Sequence, residues 1–274
     1  MTSEIHLDYP VRSVPRYGHG RPPHPRLAAI IDRGRDRYRG LLESFLAHRE
    51  CFLRIPLDAP AGAPDPHWVN DWFPGLDAIA LHCLLAGNDP ARYLEVGSGM
   101  STRIARRAIR DHGLRTRIVS IDPCPRAEID PICDEVVRAP FEDVDVAVVD
   151  QLGDGDILFV DGSHRCFMNS DVTAQFLDVI PRLRPGVLVH LHDIFLPWDY
   201  PPAWADRFYS EQYLLAVALL AEGPHLEILL PNAFVSLDDE LRRVLEPIWQ
   251  DPHMAGVQAD GGSFWLRRSG PTRG

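Results

Sequence analysis

The residues of this chain that could do chemistry gather where apolar runs end. Tyr93-Leu94-Glu95-Val96 is one such run with a single acid in it, and it opens into Gly97-Ser98-Gly99-Met100-Ser101-Thr102. Glycines there let the backbone turn tightly and let a ligand approach without a Cβ in the way. A dinucleotide seat favours G-x-G-x-x-G/A and no carboxylate facing the pyrophosphate. The third glycine or alanine is missing here and Glu95 precedes the turn, so the run suits a cationic group such as the amino group of a methionine moiety. Downstream, Arg117–Ile121 ends in Asp122-Pro123. An acid at the tip of the second strand of a βαβ unit is placed to accept hydrogen bonds from ribose hydroxyls. A turn aspartate before proline is the plain alternative, but the glycine run upstream favours a nucleoside.

Two further runs end in titratable groups: Phe159-Val160-Asp161-Gly162-Ser163-His164 and His190-Leu191-His192-Asp193-Ile194. If these strands are neighbours, Asp161, His164, His192 and Asp193 converge beside the cofactor, because ligands of open α/β sheets lie beyond the carboxyl ends of strands. Asp161, His192 and Asp193 could then ligate Mg²⁺ or a transition metal that lowers the pKa of a substrate hydroxyl. Equally, His164 or His192 could act as general base without a metal. The bland reading leaves Asp161 capping a turn and the histidines bonded locally. His190 and His192 alternate with Leu191 and share one strand face. Trp198, Tyr200 and Trp204 follow among prolines, as a pocket lining or as a packed surface loop. Glu211, Gln212 and Tyr213 begin a helix and could face the pocket, with first-turn charge complementarity the plainer account of Glu211. Phe141 follows the third strand, where an adenine would rest.

These positions need a scaffold of strands and helices in alternation. Candidate strands span Arg92–Val96, Arg117–Ile121, Glu135–Arg138, Asp156–Val160, Val187–Leu191, His225–Leu230 and Ser263–Arg267. Helical spacing falls near Ser101–His112, Asn169–Leu183 and Ser210–Ala221 between them. The pattern predicts an α/β fold: a doubly wound, Rossmann-like, seven-stranded, mostly parallel sheet. Ahead of it, residues 1 to 25 read as an extended arm, Leu27 to Phe52 as a helix, Pro56 to Pro66 as a loop and Leu76 to Ala86 as another helix. The expected division is a helical N-terminal extension over 1–73 and a cofactor-binding domain over 74–274.

The net charge of −11 disfavours a nucleic-acid partner, which calls for a basic face, and leaves a small molecule as the expected partner. All 28 basic residues are arginine, so neither Schiff-base lysine chemistry nor a Walker-type phosphate lysine is available. Five cysteines without a C-x-x-C pair, no signal-like opening and no apolar run longer than Leu214 to Ala221 predict a reduced, cytoplasmic protein without a membrane span.

On these residues the chain resembles the class I S-adenosylmethionine-dependent methyltransferases from about Trp68 to Arg268. It looks most like a bacterial branch carrying E-V-G-S-G-x-S-T, S-I-D-P-x-P-R, D-I-L-F-V-D-G-S-H and H-x-H-D-I-F-L-P-x-D-Y-P, here Glu95–Thr102, Ser120–Arg126, Asp156–His164 and His190–Pro201. The resemblance implies S-adenosylmethionine as cofactor and methyl transfer to an oxygen or nitrogen of a small molecule in specialised metabolism. Glu95, Gly97 and Gly99 would hold the methionine portion, with Ser98, Ser101 and Thr102 in the same turn. Asp122 would hold the ribose, and Asp161 would lie by the transferring methyl. Metal-dependent relatives carry an Asp-Asn pair after the fifth strand; this chain has Asp193 followed by Ile194. Leu27 to Phe73 would act as a lid or as a contact between copies of the chain. Two alternatives share the seat: cleavage of the cofactor with release of methylthioadenosine, and a non-catalytic cofactor-binding scaffold. A dehydrogenase is the more distant option.

Overall fold

The computed structural model describes residues 6, 8–60, 62–221 and 225–270. The ends of the expected arm and domain, at 1–5, 7 and 271–274, therefore lie outside the described residues. Seven strands form one sheet: β1 (Arg92–Val96), β2 (Arg117–Ile121), β3 (Glu135–Val137), β4 (Ile157–Val160), β5 (Leu188–Leu191), β6 (Leu226–Pro231) and β7 (Phe264–Arg268). Their order is β3-β2-β1-β4-β5-β7-β6. The pairs among β1 to β5 are parallel, and β7 runs antiparallel between β5 and β6. The expected seven-stranded, mostly parallel sheet is thus present. Chain order reverses between β1 and β4, and such a switch point leaves a crevice at the strands' carboxyl ends. β4 (Ile-Leu-Phe-Val) and β5 (Leu-Val-His-Leu) are buried along their whole length, as expected of central strands covered on both faces.

The helix Met100–His112 follows the glycine turn and stops at Gly113, which takes a left-handed φ of 61° and donates its N–H to Ile109. Ile104, Ala105, Ala108 and Ile109 form its buried stripe. Each buried isoleucine contributes about 1.5–3 kcal/mol. The helix Gly75–Asn88 is buried over its first eleven residues, so its apolar character all round matches its place inside the molecule.

The N-terminal segment differs from the expected single helix over 27–52. Two helices, Pro25–Asp32 and Arg35–Phe45, are followed by short turns at Leu46–His48 and Arg49–Phe52. The break falls at Gly34, where a Cβ would lie 2.3 Å from the Tyr38 ring. Tyr38 closes over that glycine and donates its hydroxyl to the Ile31 carbonyl at 2.8 Å. Tyr38, Leu42, Phe45 and Phe52 belong to the same buried core as the sheet. The arm docks through the Arg16 and Tyr17 N–H groups, which donate to Asp199 at 2.6 and 2.9 Å.

Candidate active site

A cleft of about 1440 Å³ opens over the carboxyl ends of β1, β2, β4 and β5. Gly97, Ser98, Gly99, Ser101, Asp122, Phe141, Asp161, His164, His192 and Asp193 all line it, so most of the expected site residues meet in one place. Residues 67, 69–74 and 258, 260–262 close other sides.

The two glycines of the turn do different jobs. Gly97 takes φ +79°, and a Cβ on it would lie 1.9 Å from the Asp161 carbonyl oxygen, so only glycine lets β1 and β4 close here. A Cβ on Gly99 would meet nothing within 4 Å, so its bare backbone faces open cleft. The turn is braced from β2: the Ser98 N–H donates to Asp122 Oδ2 at 2.9 Å, and the Ser98 and Ser120 hydroxyls pair at 2.8 Å. Asp122 also accepts the Cys124 N–H at 2.8 Å. Each of its carboxylate oxygens keeps a lone pair for a further donor.

Glu95 and Thr102 lie beneath the turn, not in the cleft. Both are fully buried. Glu95 accepts the Tyr93 hydroxyl at 2.7 Å and the Thr102 hydroxyl, and Thr102 Oγ1 accepts the Gly99 N–H at 3.0 Å. Burial pushes the Glu95 carboxyl up to about 7, against hydrogen bonds from Ser101, Thr102, Tyr93 and Ser98 that favour its ionised form. The chain Glu95, Thr102, Gly99 thereby holds the shape of the turn. Direct contact of Glu95 with a ligand, the sequence expectation, is not its position in this structure: its side chain lies buried under the turn, where the Tyr93 and Thr102 hydroxyls are among its donors.

Facing the turn is a network of acids and imidazoles. His164 stands between Glu211 (Nδ1 to Oε2, 2.9 Å) and Asp161 (Nε2 to Oδ1, 3.1 Å), with Asp193 at 3.5 Å. His192 stands between Asp77 (Nε2 to Oδ2, 3.2 Å) and the pair Asp161 and Asp193, each 3.5 Å from Nδ1. Two non-glycine residues reach this network from left-handed backbone, His164 at φ 60° and Asp193 at φ 55°. That conformation costs about 1–2 kcal/mol per residue and is offset by the ion pairs it allows. Burial works against both imidazolium ions, yet the surrounding carboxylates raise His164 and His192 well above the usual imidazole value. Burial also opposes ionisation of Asp161, but His192 and His164 hold its carboxyl well below the usual range. Burial outweighs the same histidines at Asp193 and raises it.

Asp77 was not visible as a site residue in the sequence. It is fully buried and accepts from Asn232 Nδ2 (2.7 Å) and from the Ser263 (3.0 Å) and Gly262 (2.8 Å) N–H groups as well as from His192. The only hint was an acid in the first turn of an otherwise apolar helix, which dipole complementarity explains equally well. Glu211 is buried too, with Oε1 lacking a hydrogen-bond partner among the described residues. Helix-start chemistry alone does not account for it, since its other oxygen carries His164. Arg103, three residues after Met100, lines the cleft with its Nε buried and without a hydrogen-bond partner among the described residues.

His190 shares a strand face with His192, ring centroids 5.8 Å apart, but is sealed in the core against Phe159 and bonded to Ser263 at 2.7 Å. Of the aromatic loop, Trp204 lines the cleft, with the Arg207 guanidinium 3.9 Å over its ring. Trp198 packs on Gly18 and stacks with Phe234, and Tyr200 is buried with its hydroxyl accepting the Gln212 N–H at 3.2 Å. Of the expected metal set, Asp161 and Asp193 each lie 3.5 Å from His192 Nδ1. Among the described residues, the donors that close to within 4.8 Å as a group of three are Cys51, His82 and His112, not Asp161, His192 and Asp193.

With this geometry in view, comparisons with known proteins show what the chain is similar to. Residues 94–194, from β1 to just past β5, match a family described as a methyltransferase domain. No curated protein matches the chain. Among solved structures, the SAH-bound methyltransferase PaMTH1 of Podospora anserina is similar at 17% identity, over 83% of this chain and 88% of that one, with a TM-score of 0.44.

Proposed function

We propose that this protein is an S-adenosylmethionine-dependent methyltransferase acting on an oxygen or nitrogen of a small molecule. The observation that carries the reading is that one cleft brings the glycine turn and Asp122 together with the Asp161, His164, His192 and Asp193 network. The methyltransferase-domain match over 94–194 spans both walls. In this reading the ribose bonds to the free lone pairs of Asp122 and the adenine rests by Phe141. The methionine portion lies over Gly97 to Ser101, with its carboxylate toward the Arg103 guanidinium. Asp161 and Asp193 line the cleft where the sulfonium would sit, and carboxylates there suit a cationic cofactor.

Methyl transfer asks the protein to align the acceptor with the sulfonium methyl and to take the acceptor's proton. The acceptor lone pair forms the new bond to the methyl carbon, and the carbon–sulfur bond breaks with its electron pair left on sulfur. The acceptor's proton passes to His192 Nδ1, whose 3.5 Å spacings from Asp161 and Asp193 are too long for firm hydrogen bonds and leave it approachable. Asp77 on Nε2 fixes the ring and stabilises the imidazolium that results. His192 must first lose the proton its neighbours favour, so turnover rises with pH. No step needs a metal at Asp161, His192 and Asp193.

The test is to incubate the protein with S-adenosylmethionine and panels of phenols, alcohols and amines and to identify the nucleoside released. S-Adenosylhomocysteine with a methylated acceptor supports the proposal. Methylthioadenosine would mean attack on the aminocarboxypropyl chain, and binding without turnover would mean a scaffold; either result overturns methyl transfer.

A further inference from the structure

A second group of donors meets away from the cleft, at the far end of the helix that begins at the glycine turn. Cys51 comes from the Arg49–Phe52 turn, His82 from the Gly75–Asn88 helix and His112 from the last position of the Met100–His112 helix. One donor atom from each lies within 4.8 Å of the other two. Cys51 Sγ is 4.0 Å from His112 Nε2. A thiolate and an imidazole on one tetrahedral zinc stand roughly 3.5 Å apart, from bond lengths of about 2.3 and 2.0 Å. A contraction of a few tenths of an ångström would therefore close that pair on an ion.

His82 supplies the independent observation. Its side chain is 1% exposed, and its Nδ1 is buried with no hydrogen-bond partner among the described residues. An unmet polar atom in that position costs about 1–3 kcal/mol, and apolar packing alone gives no return for it. The other nitrogen, Nε2, lies 3.4 Å from Asp111 Oδ2. Asp111 in turn accepts from Arg107 Nε at 3.0 and 2.9 Å. A carboxylate on one imidazole nitrogen directs the lone pair of the other outward, which is how metal-binding histidines are commonly oriented. His48 stands edge-on to His112 and His82, with ring centroids 4.9 and 6.2 Å away, and rotation would offer a fourth donor.

We propose that Cys51, His82 and His112 form a zinc-class metal site that fastens the N-terminal segment to the two helices that precede and follow β1. A sulfur and two imidazole nitrogens select a borderline-soft ion over Mg²⁺ or Ca²⁺, which prefer oxygen. Binding would release the thiol proton and tie together chain segments about 30 and 60 residues apart, as counted from positions 51, 82 and 112. The site shares no residue with the cleft and stands whether or not the proposed reaction is right.

Co²⁺ titrated into chelator-treated full-length protein tests this. The expected result is one equivalent bound with a thiolate-to-Co²⁺ charge-transfer band and visible bands of tetrahedral intensity, both removed by Zn²⁺. Cys51→Ser should lose the charge-transfer band, Asp111→Asn should weaken Co²⁺ binding about 10–100-fold, and Asp193→Asn should change neither. Zn²⁺ should raise the melting temperature of the wild type and leave that of Cys51→Ser where it is in chelator. If Cys51→Ser does not fold, His112→Gln takes its place in the same titration. Absence of the band in the wild type, its survival in Cys51→Ser, or its loss in Asp193→Asn would overturn the site.

Discussion

The two glycines of the turn should fail in different ways when each is given a methyl group. In Gly97→Ala the new Cβ starts 1.9 Å from the Asp161 carbonyl oxygen, whereas contacting heavy atoms settle near 3.5 Å, so β1 or the end of β4 must move about 1.5 Å. Left-handed backbone at φ +79° adds about 1–2 kcal/mol for a residue with a Cβ. Overpacking adds roughly 1–3 kcal/mol. The sum, about 2–5 kcal/mol, corresponds to a fall in melting temperature on the order of 5–15 °C for a chain of this size. The displaced backbone carries Asp161, and shifts near 1 Å in an active site cost about 100-fold in rate. Gly99→Ala starts from open space at an extended φ of 177°. Its melting temperature should stay within a few degrees of wild type, while its methyl group occupies the space assigned to the methionine portion. Thermal denaturation paired with calorimetric titration of S-adenosylhomocysteine separates the two. Equal loss of stability in both variants, or Gly99→Ala binding the nucleoside as the wild type does, would refute the division of labour.

Four further outcomes follow from the network. Asp122→Ala should weaken S-adenosylhomocysteine binding while leaving the fold intact by circular dichroism, and unchanged affinity would remove it from the nucleoside seat. Arg103→Gln should lower that affinity about 10–100-fold, the worth of one charge-assisted hydrogen bond, measured by the same titration; no change would detach Arg103 from the cofactor's carboxylate. His192→Asn should cut turnover about 10²–10⁴-fold with little effect on cofactor affinity, and an unaffected rate would take it out of the proton path. The carboxylates raise His164 and His192 on folding, so the stability they confer is complete below the ordinary imidazole value of 6.5 and is lost as pH rises through the folded values. Melting temperature should fall with rising alkalinity more steeply in the wild type than in His164→Asn, while turnover climbs; parallel curves would contradict the network's charge state.

Much of this arrangement was legible before any coordinates. Periods of two and of three to four placed every strand to within a residue at each end, because the central strands are buried on both faces and read as continuous apolar runs. The glycine turn, Asp122 and the acids and histidines after β4 and β5 stood out since polar groups at the ends of buried strands have few structural uses. What stayed hidden was depth. Glu95 and Thr102 read as cleft residues, but only the three-dimensional turn shows them beneath it, engaged with each other. Asp77 and Arg103 lie on helices, where an acid in the first turn or an arginine on an amphipathic face has an ordinary explanation, and the same explanation competes with a pocket-facing role for Glu211. The helix break at Gly34 depends on where Tyr38 packs, and no local spacing reports that. The Cys51, His82 and His112 group joins three separate elements, so no sequence spacing announces it.

The central claim is that the bend after β1 and the acid after β2 seat a sulfonium nucleoside against the His192 network. A crystal structure of the protein grown with S-adenosylhomocysteine tests it most directly. The account predicts the nucleoside with its ribose hydroxyls on Asp122, its amino acid end over Gly97 to Ser101 and its sulfur turned toward Asp161 and His192. Nucleoside bound elsewhere, or a cleft that takes none at saturating concentration, would contradict it.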